Sequence, residues 1–549
     1  MRFSKGIILL TTCLICFSMI FAGCSDPKKQ EAFLEENILN ISIGGEPEVL
    51  DPQLAIDVYP MRVINAVFEG LCRNDEKGVP MPGVAKFWDI SEDKLTYTFY
   101  LREATWSDGT QITAKDFKDA WLRALDPNPK DHQPALMGYL LMCIEGAENY
   151  LYGEGSKEDV GIEAKDDKTL VVKLTKPTPY FLQIVSNSVA MPINSEFYSK
   201  QPLVEGMSKY GADIENVLGN GPYVIKEWNH NEDIVLEKNP NYWNAENIKL
   251  STVNLRIIPD NSSAITSFKA GELDIVEISE AHQRDELKAK GAVVESYNTG
   301  ATQYVSINNE DKYLKNVNLR KALVYGIERE SLVNKVVKDG SEEAYAFVNP
   351  VVGGGNNSFR QETGDLVRRD NTAEAESFAL KSLVELKLSD MPKLSLLVDD
   401  METSKRDAQA LQEMWRKNVG IEVEIETMSF ESIQERMMQK DYQMVLLRWS
   451  GDYNDPTSFL EIFETENYFN IVGFNNSEYD SLMSKAREET DEKKRMNLLS
   501  EAEELLFKYM PICPLYYVHN SYAVKPKVKG LVRGSSAIQD MDFYWTYLE

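Results

Sequence analysis

Histidine and cysteine, the residues that build most protein metal centres, are scarce in this sequence. The chain has four histidines among 549 residues, and its six cysteines include only one Cys-x-x-Cys pair, Cys13 and Cys16, inside the apolar run at the N-terminus. Structural zinc sites need such ligands at short, regular spacings. The histidines lie far apart, at His132, His230, His282 and His519. We therefore predict no metal site and no cofactor.

Motifs of the common enzyme classes are also missing. The chain contains no Gly-x-Ser-x-Gly, no Walker A phosphate loop and no His-Glu-x-x-His. The adjacent acids Asp399 and Asp400 are more typical of a solvated turn than of a catalytic pair. We predict that the protein is not an enzyme. A hydrolase whose catalytic residues are distant in sequence is the alternative of a different class.

Positive charge is in deficit. The chain carries 59 lysines and arginines against 87 acidic residues, which gives a formal net charge of −28. This balance argues against nucleic acid as a partner and against electrostatic adhesion to anionic lipid. It does not select a ligand, because acidic surfaces are common among secreted proteins.

Long apolar runs are absent beyond the N-terminus. Residues 1–6 are basic, and residues 7–21 form an apolar run that is short for a membrane span. Phe21-Ala22-Gly23-Cys24 resembles a bacterial lipobox, which implies that residues 1–23 are a signal peptide and that Cys24 carries lipid. Polar residues follow, so 24–40 is predicted to be a tether. The predicted location is the extracellular face of the bacterial membrane; an uncleaved spanning anchor is the alternative.

Few cysteines remain for disulfide formation in such a processed chain. Cys13 and Cys16 would leave with the signal peptide, and Cys24 would be lipid-modified. Cys72, Cys143 and Cys513 remain. Three cysteines form at most one disulfide, so at least one thiol is expected to stay free.

Alternating helix and strand patterns indicate an α/β protein with two or three lobes, because 549 residues are too many for one core. Residues 95–101 alternate as a strand does, and Thr113 and Asp116 have capping-box spacing at the start of a helical stripe. Asn318 is predicted to cap another helix. Residues 421–425 form a further half-buried strand pattern.

The stretch that carries the functional interpretation begins after an apolar run at residues 443–447, which has the length of a buried strand. Trp449, Asp452, Tyr453 and Asp455 follow among Ser, Gly, Asn and Pro, which are loop residues. In open α/β sheets, ligands bind outside the carboxyl ends of strands. The alternative is a connecting loop whose aromatic residues cover a core.

Trp449-Ser450-Gly451-Asp452-Tyr453 closely resembles a motif of the bacterial oligopeptide-binding proteins, the solute-binding family 5 of peptide ABC importers. In that family this loop lines the ligand cavity. The resemblance implies that Asp452 pairs with the α-amino group of a bound peptide. It also implies that Trp449 and Tyr453 provide walls beside the first side chains, with Ser450 and Gly451 in the same loop.

Further motifs match the same family in the same order. Residues 50–55 and 67–71 match its N-terminal signature, which implies that a segment beside the ligand includes Ala55, Ile56, Asp57 and Val58. Ile56 stands where some relatives have a carboxylate. Residues 106–127, 219–224 and 320–323 match further signatures. Asn220 is a candidate ligand contact, or alternatively a turn residue that tolerates a left-handed backbone.

The resemblance implies the α/β fold of periplasmic binding proteins, in which two lobes close on a ligand and two crossing strands serve as the hinge. Lobe I would comprise residues 41–68, 197–296 and 520–549. An extra inserted lobe would comprise 69–196, and lobe II would comprise 297–519.

The function implied is the capture of extracellular oligopeptides and their delivery to the permease of an ABC transporter. We expect a monomer. The same fold binds dipeptides, signalling peptides, sugars or nickel complexes in sibling proteins, and these alternatives stay open. Neither the length nor the side-chain preference of a peptide follows from the sequence.

Overall fold

The structure is a computed structural model that describes residues 37–354, 357–369, 372–533 and 541–549. The predicted signal peptide, Cys24 and most of the predicted tether lie outside the described residues. Within the described ranges, no helix combines the length and the apolar character needed to cross a membrane.

A mixed sheet of eleven strands forms the centre of the molecule. The strand Ile38–Ile43 is parallel to both of its neighbours, and its side chains alternate between half-buried and buried. Glu342–Glu343 pairs at the side of Ile512–Val524. In spatial order the other strands are Tyr223–Asn229, Asp233–Lys238, Thr252–Ile257, Ile38–Ile43, Ile275–Ile278, Ile512–Val524, Val293–Ile307, Met444–Ser450, Leu394–Asp399 and Val423–Met428.

Two long strands connect the two halves of this sheet. Val293–Ile307 and Ile512–Val524 pair antiparallel, with register shifts between Asn298 and Thr302 and between Gln303 and Tyr304. One end of this pair borders Ile275–Ile278, and the other end borders Met444–Ser450. These two crossing strands therefore belong to both halves.

The buried apolar side chains form separate cores on the two sides of the crossing strands. The first core draws mainly on residues 39–257 and 541–544, and the second lies within residues 301–518. A small third core involves residues 264–287 and Ala523. Tyr453 is an exception, because it packs into the first core although its neighbours in sequence belong to the second. The lobe boundaries given above stay a prediction.

A second, four-stranded sheet lies within the first core. Its strands, in spatial order, are Ala85–Ile90, Thr96–Leu101, Thr169–Lys173 and Ile162–Asp166. The helix Ala114–Ala124 contributes Phe117 and Trp121, whose side chains are fully buried. The strand predicted at 95–101 and the Thr113–Asp116 capping box are both confirmed.

Short two-stranded ribbons and helices complete the architecture. The ribbons are Cys72–Asn74 with Pro80–Pro82, Leu203–Val204 with Met207–Ser208, Gly353–Gly354 with Asn357–Ser358, and Val528–Lys529 with Tyr547–Leu548. The α-helices are Val58–Val67, Ala114–Ala124, Ala147–Leu151, Phe181–Val185, Ser195–Ser199, Asn261–Ala270, Ala281–Ala289, Val317–Tyr325, Arg329–Ser331, Phe359–Thr363, Thr372–Leu386, Glu402–Val419, Phe430–Met438, Thr457–Leu460, Ser477–Glu488 and Glu492–Tyr509. Short 3₁₀ segments near the site are Leu136–Cys143, Ser188–Ala190 and Glu461–Phe463.

The helix cap predicted at Asn318 is wrong. The helix Val317–Tyr325 begins earlier, and Asn316 caps it by accepting a hydrogen bond from the N–H of Leu319 at 2.9 Å. Asn318 lies inside the helix and donates to Glu385 instead. Both asparagines have the same preference for a cap, so the side-chain type does not select between two positions in one stretch.

Cys72, Cys143 and Cys513 are all free thiols in the structure. The sequence allowed one disulfide among them, and the structure forms none. Burial raises the pKa of all three thiols, that of Cys513 to about 11 and that of Cys143 to about 12. They are therefore protonated at neutral pH.

Candidate functional site

The candidate site lies where the strand Met444–Ser450 ends. Met444 to Leu447 are buried as predicted, because this strand lies between one crossing strand and Leu394–Asp399. Arg448 is exposed, and Trp449 and Ser450 are half-buried. The chain then leaves the sheet as a loop, at the edge where α/β sheets present their ligands.

Asp452 in this loop contacts two segments that are distant in sequence. The hydroxyl of Tyr139 donates a hydrogen bond to Oδ2 of Asp452. The side-chain amide of Asn187 donates to the backbone oxygen of Asp452 at 3.3 Å, and the N–H of Asp452 donates to Oγ of Ser458 at 2.8 Å. Tyr139 and Asn187 both fall in the range predicted for the extra lobe. The loop therefore lies at a junction between the two cores.

The Asp452 carboxylate is partly desolvated, and no cationic side chain of the described residues pairs with it. Burial raises its pKa to about 6, while the hydrogen bond from Tyr139 acts in the opposite direction. Among the described residues, no lysine, arginine or histidine forms a salt bridge with it. A carboxylate in this position gains most from a cationic partner that can also donate hydrogen bonds.

Asp455, three residues further along the loop, already pairs with other residues of the protein. Arg495 donates to both of its carboxylate oxygens at 2.7 Å, and both side chains are buried. The N–H and hydroxyl of Thr457 also donate to Oδ1 of Asp455. This carboxylate is therefore fully paired, which leaves Asp452 as the loop aspartate available to a ligand.

The loop aromatics predicted to contact ligand have different environments. Tyr453 is buried, its ring stacks on Tyr180 with the centroids 4.6 Å apart, and its hydroxyl donates to Oε1 of Glu461 at 3.0 Å. One face of the Tyr453 ring is therefore covered by protein. Trp449 stays half-buried, and its indole N–H donates to the backbone oxygen of Ser458 at 2.9 Å.

Two glycines in the predicted motifs are required by close packing. A Cβ on Gly451 would lie 2.7 Å from the ring of Phe459, so the loop turns against that ring only without a side chain. A Cβ on Gly221 would lie 2.6 Å from the backbone carbon of Val67. These glycines shape the site, and Gly451 and Ser450 stay predicted contacts without a demonstrated ligand.

The segment predicted to run beside the ligand leads into the helix Val58–Val67. Ala55 is buried, and Val58 is half-buried at the start of the helix. Ile56 is 54% exposed, and Asp57 is exposed, with no capping hydrogen bond from its side chain. Ile56 and Asp57 are thus accessible, and their contact with a ligand stays a prediction.

Asn220 has a structural role in this conformation. Its Oδ1 accepts from the N–H of Glu69 and its Nδ2 donates to the backbone oxygen of Glu69, both at 2.9 Å. The side chain is buried. The alternative of a turn residue with a left-handed backbone is wrong, because Asn220 does not have a positive φ. A ligand contact by Asn220 stays a prediction.

The sequence did not reveal the partners of the loop. Tyr139, Tyr180, Asn187 and Arg495 come from segments separated from Asp452 by tens to hundreds of residues. No local pattern marks them: Tyr139, Tyr180 and Asn187 reach the loop from the range predicted for the extra lobe, and Arg495 reaches it from the helix Glu492–Tyr509. Within the described ranges, no group of three or more His, Cys, Asp or Glu side chains is arranged to hold a metal ion.

Comparison with known proteins gives the family. The family model described as bacterial extracellular solute-binding proteins, family 5 Middle, matches residues 79–470. The chain belongs to this family. It is 34% identical over 539 residues to the oligopeptide-binding protein OppA of Bacillus subtilis, covering 95% of this chain and 96% of the relative. It is also 34% identical over 501 residues to the dipeptide-binding protein DppE of the same species, covering 91% and 90%.

Solved structures agree with this assignment. The chain superposes on Listeria monocytogenes OppA bound to peptide with a TM-score of 0.73 and 28% identity, covering 93% of this chain and 99% of the other. The unliganded open form of the murein tripeptide-binding protein MppA gives 0.77 at 29% identity, covering 94% and 98%. The predicted two-lobe α/β fold with crossing strands is confirmed, as is the resemblance to family 5. These relatives are binding proteins of transport systems and not enzymes.

Proposed function

We propose that this protein is an extracellular, lipid-anchored receptor that captures oligopeptides and delivers them to the permease of an ABC transporter. The observation that carries the proposal is Asp452: a partly buried carboxylate at the junction of two cores, with no cation among the described residues to pair with it. The α-ammonium group of a peptide supplies the missing charge and three hydrogen-bond donors.

An extended peptide suits the rest of the site. Backbone groups at strand edges bind peptide backbone independently of sequence, and water fills side-chain pockets that a given peptide leaves empty. A charge-assisted hydrogen bond at the N-terminus then fixes the register of the peptide. Tyr139 adds a hydroxyl that already contacts the Asp452 carboxylate from the opposite core.

Capture from a mixture tests the function. The purified protein is incubated with a mixed peptide digest, passed through a desalting column and denatured, and the released ligands are identified by mass spectrometry. We expect intact peptides with free amino termini. Recovery of dipeptides alone, or of one signalling peptide, would reassign the protein to a sibling role. Cleavage of the mixture would favour the hydrolase, and recovery of no peptide would contradict the proposal.

The lipid anchor is supported by the lipobox at residues 21–24. A tethered receptor stays close to the permease, which favours delivery over diffusion into the medium. With Cys24→Ala, we expect release of the protein into the medium or retention of an uncleaved signal peptide, measured by fractionation and N-terminal mass spectrometry. Membrane retention with a normally processed N-terminus would contradict the anchor.

A further inference from the structure

One arginine beside the first core has a buried charge without a partner. The Nη1 and Nη2 atoms of Arg533 are both buried, and neither has a hydrogen-bond partner. No acidic side chain of the described ranges forms a salt bridge with it. A guanidinium that is taken out of water without hydrogen bonds loses free energy, so a ligand that supplies acceptors would stabilise it.

Two tyrosines hold the Arg533 side chain in place. Its guanidinium carbon lies 4.4 Å from the ring centroid of Tyr297 and 3.9 Å from that of Tyr522. The two rings are stacked, with their centroids 5.6 Å apart, and each belongs to one of the crossing strands. Contacts of a cation with ring faces position the guanidinium but provide no acceptor for its N–H groups.

Arg533 also lines a cavity, which it shares with Asn65 of the helix Val58–Val67, Ser186 and Asp542. The cavity has a volume of about 50 Å³. One buried water needs about 10–15 Å³, so there is room for a group of several heavy atoms, such as a carboxylate.

The acidic side chains that line this cavity are already bonded elsewhere. Glu69 accepts from Nε of Arg73 at 3.2 Å, and Asp542 accepts from Nη1 of the same arginine at 2.5 Å. Asp75 accepts from two backbone N–H groups of its own turn, at 2.8 and 2.9 Å. The Arg533 guanidinium is therefore the group of the cavity wall whose charge no carboxylate of the described residues meets.

Arg533 lies within reach of a peptide held at Asp452. Tyr297, under the guanidinium, precedes Thr302 by five residues on one crossing strand, and Thr302 pairs with Trp449 at the start of the Asp452 loop. Five strand residues span about 16 Å. An extended peptide covers that distance with four or five residues.

We propose that Arg533 is a second charged anchor, which binds a carboxylate of the peptide at about its fourth or fifth residue. The carboxylate belongs to the C-terminus of a short peptide or to an acidic side chain of a longer one. A guanidinium binds either source through two parallel hydrogen bonds. The inference rests on the proposed function, because Asp452 must first hold the peptide ammonium.

Calorimetry with three pentapeptides tests the anchor: penta-alanine with a free C-terminus, its C-terminal amide, and the amide of Ala-Ala-Ala-Glu-Ala. The unchanged protein should bind at least one of the two carboxylate-bearing peptides on the order of tenfold more tightly than penta-alanine amide. The peptide that shows the gain identifies the source of the carboxylate. In Arg533→Gln this gain should disappear, while the affinity for penta-alanine amide changes little. Arg533→Lys should keep part of the gain, because it retains the charge without the paired hydrogen bonds.

Arg256→Gln is the matched control variant. Arg256 lies on the strand Thr252–Ile257, is 41% exposed and pairs with Glu272 at 3.2 Å. This variant should keep the full gain from a carboxylate.

Four results would overturn the anchor. Equal binding of all three peptides by the unchanged protein, or a gain that survives in Arg533→Gln, would do so while leaving peptide binding intact. An equal loss of affinity for all three peptides in Arg533→Gln would assign Arg533 to packing against the tyrosines. If Arg533→Gln does not fold, Arg533→Lys decides, because an undiminished gain in that variant would overturn the paired hydrogen bonds. Binding of no peptide by the unchanged protein would overturn the anchor together with the proposed function.

Discussion

Two aspartates in one loop illustrate how position, rather than residue type, decides a role. Asp455 is paired on both oxygens with Arg495, whereas the Asp452 carboxylate accepts a hydrogen bond from just one side chain of the described residues, the hydroxyl of Tyr139. The sequence placed both in the same motif. The structure distinguishes them because the arginine arrives from a helix 40 residues away.

The raised pKa of Asp452 predicts a pH-dependent affinity. Burial disfavours the charged carboxylate and raises its pKa to about 6. The peptide ammonium forms an ion pair only with the ionised form of the Asp452 carboxylate. As the pH falls through about 6, the affinity for peptide should therefore fall, approaching about tenfold per pH unit below that value. Above it, the affinity should be constant until the peptide amine loses its proton near pH 8. Calorimetry between pH 5 and 7.5 measures this profile.

Other ionisable groups near Asp452 require a control. Tyr139 stays protonated over this range because burial raises its pKa. Burial also raises the pKa of Glu461 to about 7, partly offset by Arg487. Glu461→Gln should keep the inflection near pH 6, and Asp452→Asn should remove it. An inflection that survives in Asp452→Asn would assign the titration to another group.

At the scale of elements, the ion pair of Asp455 and Arg495 connects the loop after Met444–Ser450 to the helix Glu492–Tyr509. Removing one member leaves a buried charge without a partner. Arg495→Met should therefore lower the free energy of unfolding by about 3–5 kcal/mol. Denaturant unfolding measures it.

An exposed ion pair supplies the comparison for that variant. Arg416 and Glu413 form a salt bridge of 2.7 Å with both side chains more than half exposed. Arg416→Met should lower the free energy of unfolding far less than Arg495→Met does, because solvent screens exposed pairs. Equal losses in both variants would contradict a special role for the buried pair.

Elements with strong local patterns could be predicted, and contacts between elements could not. The strand before Asp452 and the strand at 95–101 follow from apolar runs and alternation. The Thr113 cap follows from its spacing to Asp116, whereas Asn316 and Asn318 could not be told apart by type. Tyr139 could not be found from the sequence. It lies 313 residues before Asp452, and its hydroxyl meets the Asp452 carboxylate only because distant parts of the chain pack together.

At the scale of the whole molecule, the two crossing strands are the shared element between the cores. Their pairing shifts register between Asn298 and Thr302, which interrupts the ladder where the sheet passes from one half to the other. A ligand held from both sides favours the closed arrangement, because only that arrangement makes both sets of contacts. Saturation with a binding peptide should therefore reduce the radius of gyration in small-angle scattering. An unchanged radius on saturation would contradict hinge closure.

The most direct test of the account is calorimetric binding of penta-alanine, with a free and with an acetylated amino terminus, to the unchanged protein and to Asp452→Asn. We predict that Asp452→Asn weakens binding of the free peptide by about tenfold or more, since losing one partner of a buried charge pair costs about 2–5 kcal/mol. The acetylated peptide has no charge for Asp452, so it should bind the unchanged protein weakly and lose little on mutation. Equal affinity of both proteins for the free peptide, or equal affinity of the unchanged protein for both peptides, would contradict the role of Asp452 as the receptor for the peptide amino terminus.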